Sequence, residues 1–386
     1  MEREQLWTPE FLGMSSSNLF MYMSQYIMVA ALPIFILENL GGNDMEAGLA
    51  MSFFQIGAVT FRPLAGRLID VVNKHQMLMI STLAFFFVML AFNWFHSLAS
   101  IYVLRLLHGC IFALATTAAA TMVVLVLPSA RKGEGIGYFA LSTNLAMVVG
   151  PFLGLLLIGQ LGSTALFAFL ILLGIMIFLT ANVRQLPESM ILPVASGKKR
   201  IHLYDFIEFK ALIPAGLGGL VFFVYGGILT FIPLYAKQLG LQSDTSLFFM
   251  VFAFIIVLTR PIIGRLFDKK GPEWTIWPGF LFFAVGMVLF GQVSSVSDLL
   301  VSAVVLGIGF GALSPAFQTL AVRSAAPSRA GVATATYFWA LDISVGLAAA
   351  IMSTVAARYG YPFMYSIANT SIVILTAICY GIWRYR

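Results

Sequence analysis

The residues with chemistry to offer are few, and they stand out because they interrupt long apolar runs. Asp342 lies about twelve residues into the run 330–357, whereas the other acids sit in connecting segments or at the ends of runs. A carboxylate at mid-membrane costs about 2.5–3.5 kcal/mol on insertion scales, so it calls for a purpose. An acid held away from water is suited to binding and releasing a proton, or to meeting a substrate. An ion pair with an arginine inside a helix is the structural alternative. Arg105 and His108 are three residues apart and share one helical face. Arg105 reads as a substrate-binding group and His108 as a second proton-coupling candidate. An arginine reaching for the membrane surface and a satisfied core histidine are the plainer readings. The run 11–37 carries Asn18, Tyr22, Gln25 and Tyr26 on one broad face, and other runs offer Gln55, Asn144, Tyr225, Gln318, Tyr337 and Trp339. Together these could line an amphipathic, substrate-binding cavity of aromatic and amide groups. Each of them could equally serve interhelical hydrogen bonding.

Composition dictates the elements that must position these groups. Of the 386 residues, 60% are hydrophobic and only 10% charged, against roughly 25% charged in a soluble globular chain. Twelve helices of about 20 residues would occupy about 240 positions, close to the apolar share of the chain. The expected fold is an all-α membrane protein with twelve transmembrane helices. They fall at 11–37, 46–67, 76–96, 98–127, 133–160, 164–184, 210–236, 245–266, 274–293, 297–324, 330–357 and 361–383. The apolar runs are continuous rather than alternating, which excludes a β-barrel. The first run is too long for the core of a cleavable signal, so it is expected to stay as a helix. Cys110 and Cys379 are far apart and form neither a disulfide framework nor a metal-ligand spacing, and no cofactor or metal is expected.

In a soluble protein the net charge of +6 would suggest nucleic acid. Here its distribution matters more, and no nucleic-acid partner is expected. With both termini cytoplasmic, every Lys and Arg falls on the cytoplasmic side except Lys237 and Arg358 outside, and Arg62, Arg105 and Arg260 within helices. That asymmetry supports a multi-pass protein of the plasma or inner membrane.

The two halves repeat. The stretch from Arg62-Pro63 through Gly66-Arg67 to Asp70 recurs 198 residues later as Arg260-Pro261, Gly264-Arg265 and Asp268. Pro128-Ser129 and Tyr138-Phe139 recur 199 residues later as Pro327-Ser328 and Tyr337-Phe338. Duplication of this kind marks transporters that rock two similar bundles about a central site. The expected domains are a six-helix bundle over 1–184, a cytoplasmic linker over 185–209 with Pro187, Pro193, Gly197 and the run Lys198-Lys199-Arg200, and a second six-helix bundle over 210–386.

With these features the chain resembles the major facilitator superfamily over essentially its whole length. Gly66, Leu68, Asp70 and Lys74 match the family's motif between helices 2 and 3, with Val71 and Asn73 departing from it. Gly264, Leu266, Asp268, Lys269 and Gly271 match it again, up to Pro272. The resemblance implies a gating role for these positions: a glycine lets helices approach, and an aspartate at a helix end can hold two helices in one conformation and release them in another. Arg62 and Arg260, near the same helix ends, join the gating set, either binding backbone carbonyls or loop acids or drawing carboxylate-bearing solutes inward. In the helix-4 motif of Ile101, Arg105, His108 and Gly109, His108 stands where the family has Gln. Gly137, Gly150-Pro151 and Gly154 resemble the helix-5 signature of the drug:proton antiporter branch, with Ala146 and Leu155 departing towards larger residues. Gly150, Pro151 and Gly154 complete the gating set.

The implied function is secondary active transport: proton-coupled export of small organic molecules, drugs or an endogenous metabolite such as an opine-type metallophore, by alternating access. The implied partners are the small-molecule substrate, protons and the lipid bilayer, and the protein is expected to act as a monomer. Uptake by a symporter or facilitator of the same fold is the alternative. A membrane-embedded enzyme or sensor is the remote one, because no hydrolase, zinc-protease or phosphate-loop pattern is present.

Overall fold

The computed structural model describes residues 5–95, 97–182, 202–241 and 244–385. Pro187, Pro193, Gly197, Lys198, Lys199 and Arg200 therefore lie outside the described residues. Within them the chain forms twelve long helices and no strand. They are α1 (Pro9–Asn39), α2 (Asp44–Val71), α3 (Lys74–Ala91), α4 (Leu98–Val126), α5 (Lys132–Leu156) and α6 (Gly162–Ala181), followed by α7 (Leu212–Gln238), α8 (Thr245–Lys270), α9 (Glu273–Gly291), α10 (Val296–Arg323), α11 (Ala330–Phe363) and α12 (Thr370–Tyr385).

Short polar caps start several of these helices. Thr8 accepts from the Phe11 N–H at the head of α1. Asn43 with Glu46, Ser97 with Ser100, and Ser295 with Asp298 form reciprocal capping boxes at α2, α4 and α10. Such side chains satisfy N–H groups that a helix leaves open at its first turn. Elsewhere the break is made by glycine. Gly162 (φ 80°) and Gly360 (φ 82°) adopt left-handed backbone, ending one helix and starting the next. The second break divides the nominal α11 near the place where sequence separates 330–357 from 361–383. A π-helical turn stands beside each break, at Leu157–Leu161 and Met364–Asn369.

Nine described stretches are long and apolar enough to cross a membrane. Two of them, Ser129–Ala181 and Pro327–Tyr385, each hold a pair of helices joined at one of these glycines, and α2 is not among the nine. Outward faces carry isoleucine, leucine and phenylalanine, such as Ile80, Phe87, Leu179, Phe254, Ile262 and Leu281, all more than half exposed. So much apolar surface is costly in water and at home against acyl chains.

The chain forms two compact units. The first comprises Met1–Pro128, Ser142–Glu208 and Ala325–Trp339, and the second Ser129–Leu141, Phe209–Ser324 and Ala340–Arg386. In the first, α2 and α4 cross on facing glycines. A Cβ on Gly57 would lie 2.3 Å from the Leu106 carbonyl oxygen, and one on Gly109 would lie 2.1 Å from that of Phe54. The second unit is centred on aromatic rings, with Tyr225 stacked on Phe310 at 4.5 Å and Phe290 edge-on to Tyr365 at 4.6 Å.

Candidate functional site

The first unit holds a buried cationic cluster where α1, α2 and α4 meet. Arg105 is fully buried. Its Nε donates to the Ala50 carbonyl (3.3 Å), its Nη1 to Gln25 Oε1 (3.1 Å), and its Nη2 to the Met51 sulfur (3.6 Å). The guanidinium also sits 4.5 Å from the centre of the Phe54 ring. Arg105 Nη1 lies 3.2 Å from His108 Nδ1. A guanidinium can only donate, so Nδ1 is the acceptor and the imidazole proton sits on Nε2. That nitrogen has no hydrogen-bond partner among the described residues. Phe54, Phe85 and Phe92 surround the ring edge-on, at 5.0, 5.1 and 6.2 Å. Arg105 is thus held inside rather than drawn to the membrane surface, and His108 serves as one of its acceptors.

The other candidates in this unit divide into two groups. Asn18 is buried, and its Nδ2 donates to Ser142 Oγ (2.7 Å) and Thr143 Oγ1 (3.1 Å), tying α1 to α5. Tyr22 packs on Tyr26 at 6.4 Å and edge-on to Phe112 at 5.0 Å, so the aromatic face of α1 runs from α4 towards α5. Gln25 belongs to the Arg105 cluster. Gln55 and Trp339 are partly exposed, whereas Asn144 and Tyr337 are buried. The Asn144 Nδ2 makes no hydrogen bond among the described residues. In the second unit Tyr225 and Gln318 are buried and Asp342 is partly exposed. Sequence reading missed Ser142, Thr143 and the phenylalanines about His108, since none is unusual in an apolar helix.

The aspartates of the repeated motif do form clamps. Within the first unit, Asp70 at the end of α2 accepts from the N–H groups of Gly331 and Val332, both at 2.9 Å, in the first turn of α11. Within the second unit, Asp268 near the end of α8 accepts from Gly133 (3.0 Å) and Glu134 (2.8 Å) in the first turn of α5. First-turn N–H groups have no partner in their own helix, and a carboxylate suits the positive end of the helix dipole. Glycine stands at both receiving positions, because a Cβ at Gly331 or Gly133 would lie 2.6 or 2.8 Å from the carboxylate oxygen. A turn earlier, Gly66 and Gly264 press on the same partners. Their Cβ atoms would lie 2.5 Å from Ala335 Cβ and 2.7 Å from Glu134 Cα. The clamps are in register at 198 residues, one fewer than the offset of the matching Pro-Ser and Tyr-Phe pairs. Lys74 is buried at the head of α3, and Lys269 is exposed.

Arg62 and Arg260 take the carbonyl-binding role. Arg62 Nη1 donates to the Ala113 carbonyl (3.3 Å), Thr116 Oγ1 (2.7 Å) and Thr117 Oγ1 (3.2 Å), and the guanidinium lies 4.9 Å from the centre of the Phe338 ring. Arg260 Nη1 donates to the Gly311 carbonyl at 3.0 Å, the equivalent position in the second half. In α5, Gly150 and Gly154 lie against α1. Their Cβ atoms would stand 2.6 Å from Tyr26 Cβ and 2.8 Å from the Ile27 carbonyl oxygen, with Pro151 between them.

Comparison with known proteins places this geometry in a family. The sequence model of the Major Facilitator Superfamily matches residues 14–349. An uncharacterised transporter of this type from Methanocaldococcus jannaschii is 22% identical, over 91% of this chain and 92% of its own. Another, from Burkholderia pseudomallei strain 1106a, is 25% identical over 97% of this chain and 92% of its own. Among solved structures, the human organic anion transporter MFSD10 (TETRAN) superposes with a TM-score of 0.80 at 14% identity, covering 96% of this chain and 98% of its own. An outward-facing bacterial homologue of the iron transporter ferroportin gives 0.75 at 13% identity, over 99% and 100%.

Proposed function

The chain belongs to the Major Facilitator Superfamily and is a membrane transporter rather than an enzyme; on that premise we propose that it exports small organic molecules in exchange for protons by alternating access. The observation that carries this reading is the duplicated clamp. Each clamp joins the end of a helix from one sequence half to the first turn of a helix from the other half, through one carboxylate and two otherwise open N–H groups. Such a contact is made or broken as a whole, as a gate requires. Asp342 is the proton-coupling group in this reading, with His108 second to it. The glycine-lined approach of α5 to α1 supports the drug:proton antiporter assignment.

The substrate is an organic molecule carrying an anion that meets Arg105. A buried guanidinium provides a fixed, delocalised cation whose fork of N–H donors suits a carboxylate, and the similar MFSD10 is an organic anion transporter. An opine-type metallophore, whose carboxylates supply such an anion, is one compound class in keeping with this reading. The domains are the bundles 1–184 and 210–386 joined by 185–209. The protein acts as a monomer in the cell membrane, with both termini and both clamps on the cytoplasmic side.

Two experiments test this. Proteoliposomes carrying a pH-sensitive dye, offered a panel of cationic, neutral and anionic organic solutes, should show proton movement opposite to solute movement, with anionic or zwitterionic solutes preferred. Solute flux without proton flux would make the protein a facilitator, and parallel fluxes a symporter. In the same vesicles Asp70→Ala and Asp268→Ala should each lower turnover about tenfold or more while leaving substrate Kd within about twofold. Each leaves two N–H groups without their acceptor, at about 1–3 kcal/mol apiece. An affinity loss at unchanged turnover would refute the gate.

A further inference from the structure

The two clamps share their aspartate and glycines but differ in one acid. In the second unit Glu134 follows Gly133, and its carboxylate bridges two arginines: Arg131 Nε at 2.9 Å and Arg265 Nε at 3.3 Å. The equivalents 198 residues away in the first unit are Arg329, Arg67 and, in place of Glu134, Val332. Both cations recur and the acid between them does not. Their partners come from the segment just before α7. Arg329 Nε donates to Glu208 Oε2, and its Nη2 donates to the carbonyls of Tyr204 (2.7 Å) and Ile207 (3.4 Å). Its guanidinium lies 3.9 Å from the centre of the Tyr204 ring. The Arg67 guanidinium lies 5.0 Å from the centre of the Phe206 ring. Glu208 is almost wholly buried, and its own N–H donates to Thr336 Oγ1 (3.0 Å) on α11.

We propose that Glu208 is a positioning residue of the first clamp, supplying from the interbundle segment the carboxylate that Glu134 supplies from within the second. Arg329 immediately precedes α11, and Thr336 is one turn beyond the N–H groups that Asp70 holds. By fixing both, Glu208 orients the first turn of α11 so that Gly331 and Val332 present their N–H groups to Asp70. Residues 204–208, just before α7, are therefore a working part of one gate, and the two gates differ in where their second carboxylate comes from. The inference rests on the reading of Asp70 as a gate.

Hydrogen–deuterium exchange in nanodiscs reads this clamp directly, because the Gly331 and Val332 amides are the groups Asp70 protects. Glu208→Gln should raise exchange in a peptide spanning 327–336 by about tenfold. Adding Val332→Glu should return it to within about twofold of the wild type, since residues 329 and 332 then stand as Arg131 and Glu134 do. Asp70→Ala is the reference. If it raises exchange and Glu208→Gln does not, the role of Glu208 is overturned and the gate stands. If neither changes exchange, the gate reading falls as well. If Glu208→Gln raises exchange and Val332→Glu does not restore it, the equivalence with Glu134 is overturned. Should Glu208→Gln not accumulate as folded protein, recovery of a monodisperse product by Val332→Glu supports the proposal, and failure to recover overturns it.

Discussion

Replacing Asp342 by asparagine is expected to abolish uphill transport, to the level of protein-free vesicles, while substrate exchange down a gradient persists. Asp342 lies about twelve residues into α11, roughly 18 Å along a helix that must cross about 30 Å of hydrocarbon. An acid at that depth is retained for a purpose. The repeat supplies a control built into the chain. At the register of the clamps, the position equivalent to Asp342 in the first half is Asn144. Asparagine matches aspartate in size and shape, so Asp342→Asn removes the charge and the exchangeable proton without opening a cavity. His108 is the weaker candidate, because its Nδ1 is occupied as acceptor for Arg105. Proton-driven accumulation and counterflow, measured side by side, separate coupling from binding. Wild-type accumulation by the asparagine variant would remove Asp342 from the mechanism.

Much of the fold was readable because the signals that set it are local. Apolar runs, caps and glycine breaks place most helix ends within a few residues; the third helix, which ends at Ala91, falls short of 96. The clamp aspartates were readable because they recur. Their partners were not, since a backbone N–H leaves no mark in sequence. A register of 198 rather than 199 would have aligned Gly133 with Gly331 and Arg131 with Arg329. It would then have shown Val332 standing where an acid was due. Glu208 was hidden for a different reason: its arginine lies 121 residues away, in a pairing that only the fold creates. Arg105 shows the same limit. Its depth and its need for a partner were legible, but not that Gln25, Ala50 and His108 would meet that need.

The other large effect concerns the crossing of α2 and α4. Leucine at Gly57 or Gly109 is expected to prevent accumulation of folded protein, and alanine to lower the melting temperature by about 10 °C, a loss of several kcal/mol at about 2–4 °C per kcal/mol. The two glycines face each other's helices so closely that a Cβ on either would fall 2.1–2.3 Å from a backbone carbonyl oxygen of the other. No rotamer change relieves a clash with backbone, so the helices must part by about 1 Å to regain ordinary contact distances. The crossing is flanked by two arginine contacts running in opposite directions: Arg105 of α4 reaches the Ala50 carbonyl of α2, and Arg62 of α2 reaches the Ala113 carbonyl of α4, both at 3.3 Å. Parting the helices stretches both beyond hydrogen-bonding range and leaves two buried guanidiniums short of acceptors, which adds to the steric cost. Gly216 in α7 and Gly346 in α11 are the contrast, since a Cβ on either would meet nothing within 4 Å. Alanine at either should leave melting unchanged or raise it slightly, since alanine is favoured over glycine inside a helix by up to about 1 kcal/mol. Thermal unfolding of the four alanine variants in detergent, followed by tryptophan fluorescence, decides the matter. Equal melting temperatures across all four would mean that close packing of α2 on α4 does not hold the Arg105 cluster together.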